Sequence, residues 1–193
     1  MSRPVGFGAH TVGLLNSVGA PRVGMESSDA GSAPARSDMA SESDLSPLTL
    51  MRRAHRNQLV LCDAIEGIAD RLPGNADPIQ CLRIASMLVP LLRGIHRYEE
   101  DVIFKSFEEL SPDEESSARS IQRLRAEHVE DECLADEITE ALLAIGHGDQ
   151  IRNPEALGYM MRTFFETMRR HIAFEREHIL PLLAAAAKST SAA

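Results

Sequence analysis

Residues 153–182, NPEALGYMMRTFFETMRRHIAFEREHILPL, decide the fold. The stretch opens on Asn153-Pro154, a capping side chain followed by a proline at the first helical position, where its missing N–H does no harm. From there Leu157, Met161, Phe164, Met168, His171, Glu175, Ile179 and Leu182 recur at three- and four-residue steps, the period of one helix face. The segment predicts a long helix with an apolar seam. At one level that seam carries an imidazole and a carboxylate instead.

Three other starts repeat the device. Ser46-Pro47 and Asp77-Pro78 pair a cap with a first-turn proline, and Ser111-Pro112-Asp113-Glu114 has the form of a capping box with Ser111 as the cap. Between the starts lie the breakers Leu72-Pro73-Gly74-Asn75, Leu110-Ser111 and Gly146-His147-Gly148-Asp149, short enough to join antiparallel neighbours. The first helix has a seam of Met51, His55, Gln58, Cys62, Ile65, Ala69 and Leu72. The second gives Leu82, Ala85, Val89, Leu92, His96, Glu100, Ile103 and Phe107, and the third Ile121, Leu124, His128, Glu132, Ala135, Ile138, Leu142 and Ile145. The reading is all-α: an up-down-up-down four-helix bundle over residues 46–185 with a metal site in its core. Residues 1–45 hold six of the 12 glycines and no apolar period, so a disordered N-terminal tail is expected there, and a flexible C-terminal end over 186–193.

Composition narrows the function. Against 20 Lys+Arg stand 29 Asp+Glu, a formal charge of −9, which argues against a nucleic-acid partner. Trp is absent and the aromatics are only two Tyr and six Phe, fewer than a β-sandwich uses. Cys62, Cys81 and Cys133 form no CxxC pair, so neither a disulfide framework nor a thiolate zinc site is expected, and a cytoplasmic location is. The N-terminus reads as a poor signal peptide, and no apolar run is judged to approach the roughly 20 residues of a membrane span. No HExxH motif, glycine-rich phosphate loop or nucleophile elbow occurs.

The chemistry sits where the seams turn polar: His55, His96, Glu100, His128, Glu132, His171 and Glu175. Buried imidazoles and carboxylates are costly unless they share partners or a metal. Neutral imidazoles and carboxylates together suit Fe, Mn or Zn. His96-x-x-x-Glu100 and His171-x-x-x-Glu175 are i,i+4 pairs, leaving the two side chains of each about 40° apart on one helix face. The pairs are 75 residues apart and His55 and His128 are 73 apart, so the second half of the bundle echoes the first. Glu99 reads as a surface partner of an arginine or lysine. Glu175-x-x-His178 has the spacing of ferritin-like di-iron bundles, but no second copy occurs, so His178, like His147 and His10, reads as a bystander.

The order H…HxxxE…H…HxxxE resembles the hemerythrin-like HHE cation-binding family over residues 46–185. The run His171 to Glu175 with Ile179-Leu180-Pro181, and the double Glu of His96-Arg-Tyr-Glu-Glu100, add to the likeness. The resemblance implies two non-haem Fe ions with an oxo or hydroxo bridge, rather than Mn or Zn. By it Glu100 and Glu175 would bridge the irons, His55 and His96 would bind one, and His128 and His171 the other. The oxygen carriers of the family have a fifth His where this chain has Glu132, which makes Glu132 an additional candidate ligand. Their last carboxylate is an Asp five residues after its His, against Glu175 at four. An anionic Glu132 would favour the ferric state, which argues against reversible O₂ carriage. The expectation is therefore a protein that binds or reacts with O₂, peroxide or NO in sensing, iron handling or detoxification. The alternative is a metal-switched regulatory bundle acting through a protein partner without catalysis.

Overall fold

The computed structural model describes residues 46–191. The expected tail over 1–45, with His10, lies outside the described residues. Helix α1 runs Pro47–Ala69, α2 Pro78–Tyr98, α3 Phe104–Leu110, α4 Glu114–Gly146, α5 Pro154–Phe174 and α6 Leu180–Ser191. Two π-helical segments, Glu99–Ile103 and Glu175–Ile179, join α2 to α3 and α5 to α6 without a break in the helical path. The described residues thus form four rods, α1, α2–α3, α4 and α5–α6, and contain no strand. Rod α1 packs on α2 and α5, and α4 packs on α2 and α5, which closes the ring of an up-down-up-down bundle.

The helix starts follow local chemistry. Ser46 accepts from Thr49 N at 3.3 Å, Asp77 from Ile79 N at 2.9 Å and Asn153 from Ala156 N at 3.0 Å, each with proline in the first turn. At the third start the cap is Asp113, which accepts from Ser116 N at 3.0 Å, and not Ser111. Ser111 lies two residues too early and donates its hydroxyl to Asp113 O instead. The chain is helical through residues 186–191, where a flexible end was expected, because the alanine run Ala184–Ala187 has high helix propensity.

Met51, Ile65, Ile68, Leu88, Leu92, Phe104, Leu124, Ile138 and Phe164 are almost wholly buried. Each such side chain contributes about 1.5–3 kcal/mol by leaving water. On length and composition alone, the run Pro78–Leu110 would suffice to cross a membrane, contrary to the sequence expectation. Its apolar side, however, is the packed bundle core, with His96 and Glu99 buried on it. At Gly146 a Cβ would collide with the Leu82 side chain and lie 3.3 Å from Pro78 O, so glycine lets the end of α4 touch the start of α2. Gly148, at φ 87°, makes the turn into the last rod.

The buried face of the second rod is wider than the expected seam, whose Ala85, Leu92, His96, Ile103 and Phe107 are buried. Cys81, Ile84, Leu88, Leu91 and Ile95 are buried beside it, while Leu82 and Val89 are half-buried. Continued by one turn, that face reaches Glu99 rather than Glu100.

Candidate metal centre

Six ionisable side chains meet in the dry middle of the bundle. His55, Glu99 and Glu175 have no exposed surface, and His96, His128 and His171 are each 2 % exposed. One helix supplies each: α1 gives His55, α2 and its π segment His96 and Glu99, α4 His128, and α5 and its π segment His171 and Glu175. Five of the expected ligands are brought together. Glu100 is not among them. Its carboxylate is 38 % exposed, and Glu99, expected at the surface, holds the central place.

The π turns position both carboxylates. Phe104 N–H donates to Glu99 O and Leu180 N–H to Glu175 O, so each i→i+5 bond begins on the acidic residue itself.

Around this core runs an outer layer. His96 Nδ1 lies 3.1 Å from Glu132 Oε1, His128 Nδ1 2.9 Å from Glu100 Oε1, and His171 Nδ1 3.1 Å from Glu127 Oε2. Each outer carboxylate meets an arginine in turn: Glu132 with Arg93 at 3.2 Å, Glu100 with Arg125 at 3.8 Å and Glu127 with Arg123 at 3.4 Å. Three Arg–Glu–His relays therefore hold three rings with Nδ1 turned outward to a carboxylate and Nε2 inward. Metal-binding histidines are commonly held this way. Glu132 belongs to this layer, behind His96, and not to the centre.

The inward atoms lack partners. His96, His128 and His171 Nε2, His55 Nδ1, both Glu99 oxygens and Glu175 Oε1 make no hydrogen bond, seven of the ten such buried atoms among the described residues. His55 Nε2 meets Glu175 Oε2 at 2.7 Å. His128 Nε2 stands 3.1 Å from Glu99 Oε2, close enough for an ion pair but not aligned for a hydrogen bond. Orphaned buried donors and acceptors are costly, and a cation would satisfy them together. Two donor groups lie within coordinating reach: His96, Glu99 and His128, and His55, Glu99 and Glu175.

A sequence model described as the hemerythrin HHE cation binding domain matches residues 46–183. The chain belongs to this family. Searches of curated proteins and of solved structures found no match.

Electrostatics in this hemerythrin domain divide by helix. Burial pulls His55 and His96 down to about 4. Burial also works against charge on His128, but Glu99 and Glu100 outweigh it and lift the ring to about 8. His171 is raised in the same way, by Glu127, Glu175 and Glu99 against burial. Burial pushes Glu99 up, yet His128, His171 and His96 bring it to about 2. Glu175 is raised well above the usual range by burial and by Glu99.

His147 lies exposed in a loop, and His178 is exposed with its ring against Phe174, 4.6 Å between centroids. Sequence reasoning missed Glu99, Glu127 and Asp131. Two had a signal. The apolar steps Ile84, Leu88, Leu91 and Ile95 project to Glu99, and Ser117, Ile121, Leu124 and His128 project to Asp131.

Proposed function

We propose that the domain holds two non-haem iron ions and binds or reacts with dioxygen, peroxide or nitric oxide, in sensing, iron handling or detoxification. The observation carrying this reading is that Glu99 belongs to both donor groups, so one carboxylate would serve two cations. The two groups supply three imidazoles and two carboxylates with no thiolate, and a fourth imidazole, His171, lies 3.8 Å from Glu175, a set that suits iron better than a closed zinc site. Iron would supply one-electron chemistry and coordination positions for a small ligand.

The chain's own residues do the rest. Glu99 and Glu175 are aimed inward by their π turns. The outer carboxylates hold the His96, His128 and His171 rings, and Phe104 stacks on His128 at 5.5 Å and helps exclude water. We assign the protein to the cytoplasm because its three cysteines are all unpaired, a reading that cell fractionation tests.

The deciding experiment is metal analysis with optical spectra of the anaerobically reduced protein before and after O₂, peroxide and NO. Two irons per chain and a spectral change on ligand addition are expected. A stoichiometric zinc content with no response would overturn the proposal. A stable, reversible oxygen complex would instead make the protein an oxygen carrier, against the expectation drawn from Glu132 as a ligand. The seven core atoms without a hydrogen bond also favour the metal-switched regulatory reading, because a bound cation would satisfy them. Chelation should then lower helicity and release a bound partner protein. Unchanged helicity sinks that alternative.

A further inference from the structure

We propose that the cavity between α4 and α5 is the port through which a divalent cation reaches the core, with Asp131 as its transient ligand. This rests on the metal reading above. The core donors are at most 2 % exposed, so a cation needs a way in. One cavity of about 400 Å³ is lined by exposed Glu130, by Asp131, Thr167 and Glu127, and by His171, which belongs to the centre. It gathers oxygen atoms beside a core histidine, the ligand type that suits a hard cation still carrying water.

Asp131 is the unusual member. It is 2 % exposed, its Oδ1 accepts from Thr167 Oγ1 at 3.1 Å, and its Oδ2 has no partner. A buried carboxylate with a free oxygen is costly and calls for a guest. Arg123 does not fill the place, because it lies over the Phe174 ring at 4.3 Å and meets Glu127 at 3.4 Å. Arg170 stands at the exposed rim. On the α2–α4 side, by contrast, Glu132 is held by Arg93 and Glu100 lies against Arg125, so that groove offers no idle carboxylate of this kind.

The test is stopped-flow uptake of Co(II) by metal-free protein, followed by its visible bands. Asp131→Asn should slow uptake at least tenfold while reaching the same final Co(II) per chain. Glu130→Gln, at an exposed position, should slow it several-fold, and Glu137→Gln, an equal loss of charge on α4 outside the cavity, should not. Unchanged uptake in Asp131→Asn overturns the port. So does a lowered final stoichiometry, which would make Asp131 part of the centre. If Asp131→Asn does not fold, Glu130→Gln against Glu137→Gln decides alone, and equal rates overturn the proposal. A wild-type chain that takes up no Co(II) at all would instead overturn the metal reading.

Discussion

The two halves of the bundle present the same kinds of side chain with their acidities shifted in opposite directions. In the α1–α2 half both imidazoles are pulled down to about 4 and the carboxylate, Glu99, is held at about 2. In the α4–α5 half His128 is lifted to about 8, His171 is raised and Glu175 is pushed well up. Each half therefore complements the other. Each pair runs across the halves: Glu99, held low, faces raised His128 at 3.1 Å, and lowered His55 faces raised Glu175 at 2.7 Å. A repeated motif need not make a repeated environment.

The halves also differ in step, three residues from His96 to Glu99 and four from His171 to Glu175. Substitution gives the largest test of that difference. Glu99→Gln should take metal content from two per chain to one or none, whereas Glu100→Gln should keep the count and weaken affinity about 10–100-fold. Equal losses measured by metal analysis would restore the four-residue step in both halves.

Acidity gives the next test, on metal-free protein. His55 and His96, lowered from about 6.5, stabilise the fold above that value and lose this as pH falls through about 4. His128, raised to about 8, stabilises it below about 6.5 and loses this as pH rises through 8. Thermal melts should therefore peak near pH about 6.5, and His128→Phe should flatten the alkaline limb only. A monotonic profile would erase the electrostatic division.

Smaller effects concern how the halves are joined. Gly146→Ala forces the α4 end away from Leu82 and should cost about 1 kcal/mol net of the gain in helix propensity. Asp113→Ala removes the α4 cap and should cost about 1 kcal/mol in denaturant melts, with Ser111→Ala much less. The reverse order would return the cap to Ser111.

The fold was legible because caps, prolines and apolar periods agreed at three of four starts and along every rod. The four histidines were legible for the same reason, since each lies on its seam. The failures fall where two acidic residues stand side by side on a seam edge, Glu99 with Glu100 and Asp131 with Glu132. Steps of three and four both satisfy helical spacing, so period alone cannot choose between them. Packing chose, burying Glu99 and Asp131 and leaving Glu100 and Glu132 to brace histidines from outside. The outer role of Glu127 had no periodic signal at all, because it depends on where a neighbouring helix places His171.

The two π turns have one further consequence. Such a turn accommodates one residue more than a regular helix would, so α3 and α6 are rotated relative to α2 and α5. Phe104, Phe107, Leu180 and Leu183, which plug one end of the bundle, are therefore phased separately from the donors one turn away. Deleting a single residue within either segment would realign that end by about 100° and leave the upstream histidine where it is. Each of these rods is in effect two helices spliced at its acid, and its chain length can change at the splice without moving the ring of imidazoles.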